Sequence, residues 1–81
     1  MITWSIRARR DLGRLDPDVA TRIHRALQRY DDDRQGDVQK LQSRADEWRL
    51  RVGDWRLIFT LVDDLEAILV IRVLNRRDAY R

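Results

Sequence analysis

The chain contains no cysteine, one proline, three glycines and one histidine in 81 residues. Without cysteine there is no disulfide framework and no thiolate for metal binding or nucleophilic attack. With His24 as the only imidazole, and carboxylates dispersed among turns, neither a zinc site nor a Ser/His/Asp triad can be assembled, so no metal or cofactor is expected. No apolar stretch approaches the roughly 20 residues that span a bilayer, and the N-terminus has no charged leader followed by a long apolar run. We read the chain as a cytoplasmic protein with no membrane partner. Lysine is nearly absent too: of 17 basic residues only Lys40 is lysine, leaving 16 arginines. A GC-rich genome gives the same bias, so the positions of the arginines carry more information than their number. The net charge is only +3, which makes placement the issue for any anionic partner.

What remains is enough for one core. Residues are 43% hydrophobic and 38% charged, and 81 residues are too few to divide, so residues 1–81 are expected to form a single domain. Ile2, Trp4 and Ile6 alternate with Thr3 and Ser5, the period of a half-buried strand. Ala8, Leu12 and Leu15 mark one face of a short helix. Asp16-Pro17 then reads as a helix start, the Asp accepting free first-turn amides and the Pro having none to leave unpaired. Val19, Ile23, Ala26, Leu27 and Tyr30 follow as an apolar stripe. Asp31 to Asp33 with Gly36 is expected to end that helix, and 34–46 reads mostly as loop, with Val38 and Leu41 tucked inward. His24 falls on a helix flank.

The last third reads as strands. Trp48, Leu50 and Val52 alternate with Arg49 and Arg51; Gly53-Asp54 is a two-residue turn with Gly first; Trp55 to Val62 resumes extended structure. Asp63-Asp64 makes the next turn, and Ala67 to Leu74 is an apolar strand broken only by Arg72. The predicted fold is α+β: an N-terminal strand, a helical hairpin, then a three-stranded antiparallel meander completing one sheet with the helices on one face.

A two-residue loop at Gly53-Asp54 forces a register in which Arg51 faces Arg56 and Arg49 shares their face. Like charges directly opposite on a sheet destabilise it by roughly a few tenths to 1 kcal/mol. Two accounts fit: the arginines pair with Glu47, Asp46 or Asp54 on a solvated face, or they await an anion, for which guanidinium offers paired donors. If the last strand lies antiparallel to Trp55 to Val62, its end returns towards the same turn and brings Arg76, Arg77, Tyr80 and Arg81 near the cluster. A phenol among cations has its charged form favoured, which suits proton transfer or stacking on a base, although a tyrosine near a chain end is also an ordinary packing residue.

The run Trp48 to Phe59 (WRLRVGDWRLIF), an acidic turn, an apolar strand and Leu74 to Arg81 (LNRRDAYR) together resemble the RelE/ParE toxin superfamily, most closely RelE. The first strand and Ala8 to Leu15 (ARRDLGRL) fit as well, so the resemblance spans nearly the whole chain. It implies the toxin of a type II toxin-antitoxin system and a ribosome-dependent mRNA endonuclease, in which the RNA's own 2′-hydroxyl attacks the adjacent phosphate without metal. By position, Arg49 and Arg51 would orient RNA, with Arg77 and Arg81 adding contacts. Arg56 would stabilise the transition-state phosphate, Arg76 would assist the leaving oxygen, and Tyr80 would transfer a proton or stack. The implied partners are a cognate antitoxin, mRNA on the ribosome, and operator DNA through the antitoxin. The alternative within the superfamily is a ParE-like, non-enzymatic inhibitor that binds DNA gyrase. Two departures bear on chemistry: Asn75-Arg76 stands where the family commonly has His-Arg, so a proton role for that His has no counterpart here, and basic positions often filled by Lys are Arg, a poor general base.

Overall fold

The computed structural model describes residues 1–42, 46–62, 64 and 67–75. In chain order it has strand β1 (Ile2–Trp4), helices α1 (Ile6–Gly13) and α2 (Pro17–Asp33), and strands β2 (Asp37–Lys40), β3 (Glu47–Val52), β4 (Trp55–Val62) and β5 (Ala67–Asn75). The strands form one sheet in the order β1-β5-β4-β3-β2. From β2 to β5 all neighbours are antiparallel, whereas β1 runs parallel to β5. A parallel pair needs a long crossover, and the helices lie in that stretch of chain. The α+β architecture is the predicted one, and three details depart from it.

The first is β2, which occupies a segment expected to be loop. Asp37-Val-Gln-Lys has one apolar residue and little strand signal of its own; its extended shape comes from pairing with β3, Val38 opposite Leu50 and Gln39 opposite Arg49. The meander therefore has four strands. The second is the start of α1. The β1 strand ends at Trp4, and Ile6, expected to face inward from a strand, is 75% exposed on the helix. Ser5 decides this: its Oγ accepts the Ala8 amide at 3.0 Å and donates to the Ile71 carbonyl at 2.8 Å, capping α1 and fastening it to β5 together. The third is α2, which begins at Pro17 as expected but without a capping bond from the Asp16 side chain, and runs through the acidic triplet to Asp33. Arg34 ends it, adopting φ 56° so that its N–H closes on the Tyr30 carbonyl at 2.8 Å. Gly36 serves a different need: a β-carbon there would sit 3.0 Å from Leu50 Cδ1.

The core lies between the helices and one face of the sheet. Ala8 of α1 and Ile23, Leu27 and Tyr30 of α2 pack with Leu50, Val52, Leu57, Phe59, Ile68, Val70 and Val73, and Val38 and Trp48 border them. Val38 is thus half-buried as the sequence predicts. Among the described residues no helix is long and apolar enough to cross a membrane.

One edge needs a special device. The β1 strand covers β5 only from Ile68 to Val70. Beyond it, Asp11 of α1 accepts the Val73 amide at 2.9 Å and two bonds from the Arg72 guanidinium at 2.8 and 3.4 Å. Burial alone would raise the pKa of this carboxyl. The bonds from Arg72 and Val73, with the charges of Arg72 and Arg7, outweigh that and hold it below the ordinary carboxylate value.

Candidate phosphate-binding face

Alternation along β3 sends Trp48, Leu50 and Val52 towards the helices and Glu47, Arg49 and Arg51 to the opposite face. Across the Gly53-Asp54 turn, Val52 pairs with Trp55, Arg51 with Arg56 and Arg49 with Ile58. Gly53 has φ 60° and Asp54 does not share a positive φ, the conformation of a turn with Gly first. The expected register is therefore present, and it puts three guanidinium groups on one face, two of them on directly opposed residues.

Their surroundings differ. Arg49 Nη2 donates to Gln39 Oε1 at 2.7 Å and lies 4.0 Å from Asp37 Oδ1. These β2 residues were not among the partners expected for it, because the segment carrying them was read as loop. Arg51 is exposed, flanked by Asp37 on β2 and Arg56 on β4, and its Nε approaches the Gly53 carbonyl at 3.4 Å. Arg56 is 6% exposed, with Leu74 of β5 on its other side. The face thus has an outer, accessible cation at Arg51, a braced one at Arg49, and an inner, buried one at Arg56. A donor braced as Arg49 is binds charge with little reorganisation.

The β5 strand ends at Asn75, opposite Trp55 and so next to the Gly53-Asp54 turn. That is the end of the sheet to which the sequence assigned the last strand's exit. Arg76, Arg77, Tyr80 and Arg81, also assigned to the site, lie outside the described residues, as does Asp63 of the β4-β5 turn; Asp64 has φ 57°.

One cation at this end was not anticipated. Arg22 sits on a flank of α2, and its Nη1 lies 3.7 Å from where a β-carbon on Gly53 would be. In the sequence it is one of several arginines off the apolar stripe, and nothing local distinguishes it. On the other flank, His24 meets Trp4 edge-on with ring centroids 5.2 Å apart, the helix-flank role expected of it. Both rings line an open groove of about 390 Å³ between β1 and α2, which Arg25 also borders.

Comparison with solved structures supplies the fold. The RelE chain of the RelB-RelE antitoxin-toxin complex from Methanococcus jannaschii superposes with TM-score 0.79 at 20% identity, over 96% of this chain and 94% of that one. The isolated E. coli RelE toxin gives TM-score 0.77 at 18% identity, covering 93% and 82%. A YoeB/ParE toxin from Agrobacterium tumefaciens gives 0.76 at 16%, covering 91% and 95%. The fold is that of these toxins. No curated protein matches the chain in sequence. A family model described as the ParE toxin of the type II toxin-antitoxin system, parDE, matches residues 2–80. The chain belongs to that family and is a toxin of a type II toxin-antitoxin system.

Proposed function

We propose that this toxin acts on RNA, cleaving mRNA on the ribosome, with the arginine face of the sheet as its phosphate-binding site. The observation that carries this reading is the pairing of Arg51 with Arg56, with Arg49 two residues along the same face. An arrangement that raises the energy of the free sheet is accounted for when phosphate occupies it, because each guanidinium offers donors that match phosphate oxygens.

In this reading Arg49 and Arg51 hold the RNA backbone on either side of the scissile bond. Arg56, buried in the sheet face, meets the phosphate on which negative charge builds. The adjacent 2′-hydroxyl attacks that phosphorus; the O2′–P bond forms as the P–O5′ bond breaks, leaving a 2′,3′-cyclic phosphate and a free 5′-hydroxyl. The proton lost by the 2′-oxygen is balanced by the one gained at the 5′-oxygen, the steps assigned to Tyr80 and Arg76, while Arg77 and Arg81 add backbone contacts. Preorganised charge and positioning supply the catalysis, and no covalent protein intermediate is needed. A cognate antitoxin covers the basic face in the resting complex and links the toxin to operator DNA.

The description of the matching family favours a second reading, binding to DNA gyrase without catalysis. A shared scaffold does not choose between targets. The test uses ribosomes programmed with mRNA bearing a single 2′-deoxy nucleotide at the site cut in the unmodified message, beside a gyrase supercoiling assay. The proposal requires cleavage of the all-ribose message, loss of it on deoxy substitution, and unaffected supercoiling. Intact all-ribose message with inhibited supercoiling would replace it with the gyrase reading.

A further inference from the structure

Charge is distributed unevenly over this chain. Residues 6–30, which include α1 and most of α2, contain seven arginines and three aspartates, a net of +4, whereas the whole chain is +3, so the remainder is −1. The positive excess therefore resides on α1 and on α2 ahead of the acidic triplet that ends it. The acids in and near that stretch have other employment: Asp11 holds Arg72 and the Val73 amide, Asp31 binds the N-terminal amine at 3.1 Å, and Asp32 accepts from Gln28 at 2.9 Å. The last turn of α2 carries acids and no base, the reverse of what the helix dipole favours.

Within the excess, Arg22, Arg25 and Arg29 stand at i, i+3 and i+7 of α2 and so share one flank. All three are exposed, and among the described residues none has a side-chain hydrogen bond or ion pair. Like charges at this spacing destabilise a helix by a few tenths of a kcal/mol per pair. The row is also anchored. Arg22 lies against Gly53, whose carbonyl is approached by Arg51 from the sheet, and Arg51 is opposite Arg56. Cations therefore succeed one another from the sheet face, over the β3-β4 turn, and onto the helix.

We propose that Arg22, Arg25 and Arg29 form the exit track for the bound RNA strand, carrying its backbone from the sheet site over the Gly53-Asp54 turn and along α2. This rests on the RNA reading of the sheet face and adds where the strand goes next. From Arg22 to Arg29 the helix rises about 10 Å, the length of roughly three phosphates at duplex-like spacing.

The experiment measures binding of single-stranded RNAs of 6 and 12 nucleotides by fluorescence anisotropy, with 2′-O-methyl riboses so that no cleavage intervenes. Three added contacts steepen the dependence of log affinity on log salt by about 2 for a single strand. Between 50 and 200 mM salt, the longer RNA should then weaken roughly 20-fold more than the shorter one. That excess should vanish in Arg22→Gln/Arg25→Gln/Arg29→Gln and survive in Arg9→Gln/Arg10→Gln/Arg14→Gln, an equal loss of charge on α1 and its C-cap. Circular dichroism establishes that each variant is folded, and Arg22→Lys/Arg25→Lys/Arg29→Lys should restore the excess. Equal salt dependence for the two lengths in the unmodified protein, or loss of the excess in both Gln variants alike, would overturn the track while leaving the sheet site standing. Absence of salt-dependent binding to either RNA would remove the RNA reading itself, and the track with it.

Discussion

Replacing Asp11 with alanine removes the acceptor that joins α1 to the uncovered edge of β5. Its carboxylate takes one backbone and two guanidinium bonds, and the side chains of Asp11 and Arg72 are 13% and 29% exposed. A buried donor left without an acceptor costs about 1–3 kcal/mol, and breaking a fully buried ion pair about 3–5. Partial exposure lets water recover some of this, so the expected loss is about 2–3 kcal/mol, a fall in Tm of roughly 10–20 °C for a domain of this size. The pH dependence gives a second signature. Because the Asp11 carboxyl is more acidic in the folded than in the unfolded chain, its contribution is complete above the unfolded value of about 3.9 and disappears as pH falls through the lower folded value. Urea denaturation from pH 7 down to pH 2 should show unmodified protein and Asp11→Ala converging at the acid end. A loss under 0.5 kcal/mol at pH 7, or a gap that stays constant with pH, would refute the role assigned to this carboxylate.

Three further outcomes follow from the same geometry. Arg51→Gln relieves the pairing with Arg56 and should raise stability by a few tenths of a kcal/mol, less whatever Asp37 contributed, while reducing the salt slope for single-stranded RNA by about 0.7; denaturation and anisotropy read the two opposite effects. Ser5→Ala removes both the α1 cap and the bond to the Ile71 carbonyl, and should lower stability by about 1–2 kcal/mol by thermal denaturation. Gly53→Ala places a β-carbon on a residue with φ 60° and should cost about 1–2 kcal/mol, read as a lower urea midpoint at unchanged slope.

Much of this arrangement is legible in the order of the residues. The β3-β4 hairpin could be read because alternation and a Gly-Asp turn agree, and the register follows from the loop length; the pairing of Arg51 with Arg56 comes from that alone. The α2 stripe could be read because Ile23, Leu27 and Tyr30 repeat at helical spacing and are buried. What escaped depends on partners distant in sequence. The strand character of Asp37 to Lys40 resides in β3, and Asp11 meets Arg72 across 61 positions. The approach of Arg22 to Gly53 depends on how α2 crosses the sheet, which no local pattern specifies. The acids Asp31 to Asp33, by contrast, read as the end of α2, and the helix does end at Asp33, with Arg34 as its cap.

The proposed chemistry stands or falls on Arg56, the innermost cation of the sheet face. End-labelled mRNA on purified ribosomes, incubated with unmodified toxin or with Arg56→Ala of matching circular dichroism, measures its contribution. Removal of one preorganised donor should slow cleavage on the order of 10²-fold. Equal rates for the two proteins, or a message left whole by the unmodified toxin, would leave Arg56 without that role and the sheet face without its chemistry.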